Sequence, residues 1–247
     1  MIADILTVMW KERKGLFLIR GSRSRTILSL LAPVVFIGIV FPLMQKEEWF
    51  QTAFSLVAVI LIPFILVALT VPESFAGERE RHTLPTLLAS RLPDRAILFG
   101  KLGLAIAYGW LSALILLAVS VVVANIAIGD GQIHFFPSQL LLADVVISLL
   151  VAVMVGLLGV FISMHAPTAQ GAQQTLLAVI MIPGLVLQVA PLLLTSILPD
   201  GRMFIRQILE ADFGQVSLGI SVFLAVVSIV LLWANLTRFR RARLIAR

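Results

Sequence analysis

Long runs of apolar residues, almost free of charge, constrain this chain more than any other feature. Each approaches or exceeds the length that a helix needs to cross a bilayer core about 30 Å thick. The runs cover residues 27–43, 52–72, 102–128, 139–164, 172–198 and 214–236. Backbone polar groups in lipid must be satisfied internally, so only helices and closed barrels can span a membrane. Continuous rather than alternating apolar runs favour helices.

Composition points to the same fold class. Hydrophobic residues make up 60% of the 247 residues and charged residues 13%, whereas soluble domains carry about 25% charged residues. The sequence therefore predicts an all-α integral membrane protein with six transmembrane helices over residues 27–236. The fifth run contains Pro183, Gly184 and Pro191. We expect it to cross the membrane and then bend into an external re-entrant or loop region at about 191–213.

The distribution of basic residues predicts the orientation. Of the 19 Lys and Arg residues, all but Lys46, Arg202 and Arg206 fall in the N-terminal arm, between the second and third runs, or in the tail 237–247. Lys and Arg accumulate in cytoplasmic loops. We therefore predict a multi-pass protein of the cytoplasmic (inner) membrane, with both termini and the basic tail in the cytoplasm. Anionic lipid headgroups account for basic residues beside membrane segments, so we predict membrane lipids as partners and no nucleic acid.

The N-terminal arm, residues 1–26, has the spacing of an amphipathic helix followed by a linker. Its apolar residues recur at helical intervals, at Ile2, Ile5, Leu6, Met9 and Leu16. A helix with one apolar and one basic face lies in the membrane interface. We expect this helix on the cytoplasmic surface; the alternative is a frayed basic tail.

A densely charged stretch, ESFAGERERHTLPTLLASRLPDRAILFGK, separates the second and third runs at residues 73–101 and carries nine formal charges. A charged residue costs about 3 kcal/mol at the centre of a membrane helix, so this stretch must lie outside the bilayer. Its residues favour short helices at the membrane surface. Thr83 can cap one of them, and Pro93 can open another that runs into the third crossing.

This stretch resembles the first intracellular loop in permease subunits of ABC-2 type exporters. The matching positions are Glu78-Arg79-Glu80, Thr83-Leu84, Leu87-Leu88, Pro93 and Gly100-Lys101. The pattern differs at His82, where Gly is usual, and at Pro85, where Glu is usual. The six-crossing layout, the amphipathic N-terminal helix and the interrupted fifth run are also similar to that family. The resemblance therefore covers nearly the whole chain.

The resemblance implies that the loop docks on a separate cytoplasmic ATPase subunit and transmits its closure to the crossings. It assigns this coupling to Glu73, Glu78, Arg79, Glu80, Arg81, Thr83 and Leu87. It also implies two ATPase copies, which bind ATP and Mg²⁺, and a second permease copy or a sibling permease. The expected function is outward movement of a small lipophilic or amphiphilic compound. An ordinary solvated connector remains the alternative for the loop.

The chain lacks the residues of a catalytic subunit. Gly100-Lys101 has no glycine five positions before Gly100, and Leu102 stands where a phosphate-binding loop needs Ser or Thr. There is no cysteine, and the three histidines are scattered. We therefore predict no enzyme activity, no metal site and no cofactor in this chain.

Few polar residues interrupt the apolar runs. Asn125 and Gln188 are candidates for substrate contacts or for hydrogen bonds between helices. Intramembrane acids are functional candidates, but Asp144 lies close to Pro137, so an outer-interface position is favoured over a substrate or proton site. The turn at 165–174 either contacts the ATPase or only reverses the chain.

Other functions remain open on the sequence alone. Within the exporters, the chain could be a heme-exporter or polysaccharide-exporter permease. Outside them, it could be a membrane scaffold or immunity-type protein that binds a partner without transport, or a secondary carrier. A gene for an ATPase beside this one would separate the first group from the second.

Overall fold

The computed structural model describes residues 1–18, 23–82, 91–197 and 212–238. Within these ranges the side chains of 15–18, 23–31, 187–188 and 190–197 are not described. The described residues form helices and connections, with no strand among them. The helices are α1 (Ile2–Leu18), α2 (Arg23–Gln45), α3 (Glu48–Gln51), α4 (Phe54–Glu80), α5 (Asp94–Ile128), α6 (Ser138–Ser163), α7 (Ala169–Ile197) and α8 (Phe213–Arg238).

Five of the described helices, α4 to α8, are long and apolar enough to cross a membrane. The apolar part of α2, Ala32–Gln45, is shorter. These helices contain the predicted apolar runs, and the prediction of an all-α membrane protein is confirmed. The first crossing, at residues 27–43, falls within α2. Its role as a sixth crossing stays a prediction.

Helix α4 lies at the centre of the bundle. It packs mainly on α5 and α6, while α8 packs on α6, and α1 and α2 pack on α5. Helix α7 packs mainly on α4 and leaves most of its surface uncovered. Small residues allow the close contacts, as is usual between membrane helices. A Cβ atom at Gly109 of α5 would lie only 2.6 Å from Val67 Cγ2 of α4.

The charged stretch begins differently from the prediction. Residues from Glu73 do not start a new surface helix, because α4 continues without a break to Glu80. Two residues after the end of α4, His82 has a φ of 56°, which lies in the left-handed region that favours glycine. That backbone angle gives a physical reason for the glycine usual at this position in the family that the stretch resembles. The predicted helix opened by Pro93 is confirmed, since α5 starts at Asp94 and runs into the third crossing.

The fifth run also differs from the prediction. Helix α7 passes through Pro183, Gly184 and Pro191 and ends at Ile197, so the described chain shows no break at these residues. Prolines are tolerated in membrane helices where neighbouring groups satisfy the freed backbone atoms. The helix thus occupies the first part of the predicted region 191–213. Residues 198–211 of that region lie outside the described residues, as does most of the tail.

Candidate functional site

Charged residues of three helices meet in a group that we call the Lys101 cluster: Lys101 of α5, Lys11 and Glu12 of α1, and Glu78 of α4. The Nζ atom of Lys101 lies 3.0 Å from Oε1 of Glu12 and 3.0 Å from Oε1 of Glu78. It also donates a 2.7 Å hydrogen bond to the carbonyl oxygen of Ser74. Lys11 Nζ lies 2.8 Å from the same oxygen of Glu78 and 3.4 Å from Oε1 of Glu12.

The cluster is balanced in charge, and all of its side chains except the half-exposed Lys11 are largely buried. The side chain of Lys101 is 1% exposed, and those of Glu12 and Glu78 are 12% and 14% exposed. Two ammonium groups face two carboxylates, which offsets much of the cost of removing them from water. Burial alone would lower the pKa of Lys11, but its contacts with Glu78 and Glu12 outweigh burial and raise that pKa above its usual value. Lys11 therefore stays charged.

A close helix contact brings Glu12 to Lys101. A Cβ atom at Gly100 would lie 2.6 Å from Cβ of Val8 and 3.1 Å from the carbonyl oxygen of Ile5. Any larger residue at this position would push α1 away from α5. Glu12 lies one helical turn after Val8 on the same face, so it reaches the residue next to Gly100. The glycine and the lysine thus act together: one allows the approach and the other binds the carboxylate.

Arg79 and Glu80 connect the end of α4 to the turn between α6 and α7 through hydrogen bonds. The guanidinium of Arg79 donates hydrogen bonds to the carbonyl oxygens of Ala166 (3.0 Å) and Met164 (3.1 Å). The carboxylate of Glu80 accepts a 3.2 Å hydrogen bond from the backbone N–H of Ala169, the first residue of α7. Helix ends leave such carbonyl and N–H groups without intrahelical partners. Each charge also has the sign that the helix dipole favours.

The other charged residues at the end of α4 are more exposed to solvent. Arg81 forms an ion pair with Glu73, and the two side chains are 49% and 28% exposed. They border a cleft of about 510 Å³ between the ends of α4 and α7. The residues that line the cleft are Glu73, Glu80, Arg81, Ala169, Gln170 and Gln173. Gln173 also donates a 3.1 Å hydrogen bond to the carbonyl oxygen of Leu69, which joins α7 to α4.

The structure places five of the seven predicted coupling residues together at the end of α4: Glu73, Glu78, Arg79, Glu80 and Arg81. Glu78, Arg79 and Glu80 make contacts inside the chain. Arg81, by contrast, is 49% exposed and pairs with Glu73. Thr83 and Leu87 lie outside the described residues.

The candidate polar residues of the crossings have separate environments. Asn125 holds the loop between α5 and α6: its side chain accepts a hydrogen bond from the N–H of His134 (2.6 Å) and donates one to the carbonyl of His134 (2.9 Å). It therefore binds a loop rather than another helix. Asp144 is fully buried within the protein beside Ser55, at the end of the second turn of α6, and its expected position near the outer interface stays a prediction. Gln188 lies on α7, and its side chain is outside the described part.

The sequence interpretation missed three residues. From the sequence, Glu12 was only one of the charges in the N-terminal arm. Lys101 was used only as a positive charge in the orientation argument and as part of the Gly100-Lys101 motif. Their pairing depends on the α1–α5 contact, which no local pattern predicts. Asn235 of α8 is fully buried and donates a 3.0 Å hydrogen bond to the carbonyl of Leu157 on α6. A polar amide near the end of an apolar run was the available signal for that contact.

Comparison with known proteins relates the chain to a transporter family. A family model described as ABC-2 type transporter matches residues 3–199, which is more than half of the chain and includes every residue of the Lys101 cluster. No curated protein and no solved structure matches the chain. Within the described ranges, no group of three or more His, Asp or Glu side chains is placed to hold a metal ion.

Proposed function

The chain belongs to the ABC-2 type transporter family, and on that premise we propose that it is the permease subunit of an ATP-driven exporter. It moves a small, lipophilic or amphiphilic compound outward across the cytoplasmic membrane. Two copies of a separate ATPase subunit bind ATP and Mg²⁺ and supply the energy. A second permease copy or a sibling permease completes the translocation path. Both termini of the chain lie in the cytoplasm.

The sequence supports the proposal that ATP is bound by a separate subunit and not by this chain. It has no Gly-x-x-x-x-Gly-Lys-Ser/Thr loop to cradle a nucleotide phosphate. The bias of Lys and Arg toward one set of loops supports the orientation. The charged end of α4 then lies on the side where a cytoplasmic ATPase is present.

The observation that carries the proposal is the set of connections at the end of α4. The Lys101 cluster joins α4 to α1 and α5, and Arg79 and Glu80 join it to α6 and α7. A displacement of this end therefore acts on several membrane helices at once. We propose that Arg81 and the segment after it contact the ATPase, while Glu78, Arg79 and Glu80 transmit the movement. A charged contact of this kind also sets the register between two subunits.

Reversal of the charge at Arg81 tests the docking step. Arg81→Glu places a negative charge at the proposed contact, and like charges brought together across an interface cost several kcal/mol. Because each 1.4 kcal/mol is a factor of ten, we expect co-purification of the cognate ATPase to fall by at least tenfold. Membrane insertion of the chain should stay unchanged.

A charge swap separates docking from a purely internal role. The variant Arg81→Glu with Glu73→Arg restores the ion pair but keeps the reversed charge at position 81. If Arg81 contacts the ATPase, the swap should remain defective; if it only pairs with Glu73, the swap should recover binding. The matched control is Arg13→Glu, a single charge reversal at an exposed residue of α1. Parent-like assembly and hydrolysis with Arg81→Glu would show that the stretch is only a connector.

A further inference from the structure

A groove lies between α5 and α8, with α6 as its floor. Both α5 and α8 pack on α6, and the groove that they border has a volume of about 360 Å³. Apolar side chains from all three helices line it, among them Phe99, Ile106, Leu150 and Ile229. Ile229 is 66% exposed, so the groove opens at the side of the bundle. Because these three helices are membrane helices, the opening faces lipid rather than water.

One polar side chain stands among the described residues that line the groove, that of Ser228. It is buried, and its Oγ makes no hydrogen bond within the described part of the chain. The other two serines of α8 bond to their own helix: Ser217 donates to the carbonyl of Gly214 (3.0 Å), and Ser221 donates to the carbonyl of Ser217 (2.8 Å). A buried hydroxyl group without a partner is costly in an apolar environment. Ser228 is therefore free to bond a polar group that enters the groove.

The depth of Ser228 in the membrane excludes the oxygen atoms of ordinary lipids as its partner. Ser228 lies ten residues before Arg238, the last residue of α8, which is about 15 Å at a rise of 1.5 Å per residue. A charged residue at a helix end belongs at the membrane boundary. Since the hydrocarbon core is about 30 Å thick, Ser228 lies near its middle. The ester and headgroup oxygens of bilayer lipids stay at the boundary, so a ligand for Ser228 must carry its polar group inside an apolar framework.

We propose that the groove binds a lipophilic compound that carries one oxygen acceptor, such as a ketone, well inside an apolar framework. Ser228 donates a hydrogen bond to that oxygen, and the apolar walls bury the rest of the compound. The groove begins beside the Lys101 cluster, since Phe99 and Leu102 stand on either side of Lys101 in the sequence of α5. A compound dissolved in that half of the bilayer can therefore enter the groove directly. The assignment of this compound to the exported class rests on the proposed function.

Fatty esters with a nitroxide group test the binding, because a nitroxide oxygen accepts hydrogen bonds and electron paramagnetic resonance detects its mobility. The parent chain in phosphatidylcholine nanodiscs is mixed with methyl 12-doxyl-stearate, whose nitroxide lies deep in the bilayer like Ser228, or with methyl 5-doxyl-stearate, whose nitroxide stays near the boundary. The immobile fraction should be larger for the 12-doxyl ester. Methyl 12-oxostearate, a ketone, should displace that ester about fivefold more effectively than methyl stearate.

Two results with the parent chain would overturn the proposal. Equal displacement by methyl stearate and by the ketone would show that the groove holds ordinary lipid chains. The absence of an immobile fraction for the 12-doxyl ester would show that protein, such as a second copy of the chain, fills the groove.

A pair of serine variants tests the hydrogen bond. Ser228→Ala should weaken binding of the 12-doxyl ester about fivefold, as expected for the loss of one hydrogen bond. Ser221→Ala is the matched control on the same helix, and it should bind like the parent because its hydroxyl group is already bonded within α8. Parent-like binding by Ser228→Ala would refute the role of Ser228.

A variant that fills the groove tests its location. Gly103 lines the groove, and a Cβ atom there would have one described neighbour within 4 Å, Sδ of Met9 at the ordinary contact distance of 3.9 Å. Gly103→Leu should therefore abolish the immobile fraction without lowering the unfolding midpoint. Parent-like binding by this variant would refute the groove as the site. These measurements use neither an ATPase nor an exported substrate, so a failure of binding is distinct from a failure of the proposed function.

Discussion

Replacement of Lys101 by methionine gives the sharpest test of the buried cluster. The change keeps an unbranched apolar side chain but removes the ammonium group that lies 3.0 Å from both Glu12 and Glu78. Loss of one partner from a buried ion pair costs about 3–5 kcal/mol, because the other charge is left without compensation. Glu78 keeps Lys11 at 2.8 Å, which favours the lower end, about 3 kcal/mol. That corresponds to about a hundredfold change in the folding equilibrium.

Denaturant unfolding in detergent measures the effect, with the four native tryptophans as the fluorescent probe. Lys14→Met is the matched control, since Lys14 is an exposed lysine of α1 and its contact with the Trp10 ring should contribute about 1 kcal/mol or less. The triple variant Glu12→Gln, Glu78→Gln and Lys101→Met leaves no unpaired buried charge in the cluster. It should recover much of the stability that Lys101→Met loses. Parent-like stability of Lys101→Met, or a triple variant less stable than the single one, would refute this reasoning.

Three other predictions concern orientation, backbone strain and helix contact. Cysteine introduced at Gln132 should react with an impermeant maleimide on intact cells, and cysteine at Arg91 only after lysis; the reverse pattern would overturn the orientation. His82→Gly should stabilise the chain by about 1 kcal/mol in unfolding measurements, because φ at this residue is 56°; a loss of stability would contradict the strain. Gly109→Val should destabilise it by about 1–3 kcal/mol, since even a Cβ atom there lies 2.6 Å from α4, and an unchanged unfolding midpoint would refute the close contact.

The sequence predicted the fold class because hydropathy alone determines which segments can be membrane helices. It also predicted the start of α5, since Pro93 and Asp94 are local signals. It did not predict that α4 continues to Glu80. Charged residues after an apolar run indicate the end of a membrane crossing, but they do not indicate the end of a helix. The prolines of α7 led us to predict a bend that the helix does not show. A proline leaves a backbone carbonyl without its helical hydrogen bond, but neighbouring groups can satisfy that carbonyl and the helix then continues.

The candidate site was predicted in position but not in detail. The motif around Glu78 located the charged end of α4, and the structure brings its charges together there. The partners of those charges come from distant segments: Lys101 from α5, Ala166 and Ala169 from the turn after α6. Such pairings depend on how helices pack, and a single sequence holds no local signal for them. Glu12 reaches the cluster only because Gly100 lets α1 approach α5.

ATP hydrolysis by the purified chain, alone and with its cognate ATPase, tests the central claim most directly. Both preparations are assayed in the same lipid with Mg²⁺. A permease subunit without a phosphate-binding loop should show no hydrolysis alone, whereas the complex should contain both subunits in equal amounts and hydrolyse ATP. Robust hydrolysis by the isolated chain would contradict the account, as would failure of the ATPase to bind a stable, membrane-inserted parent chain.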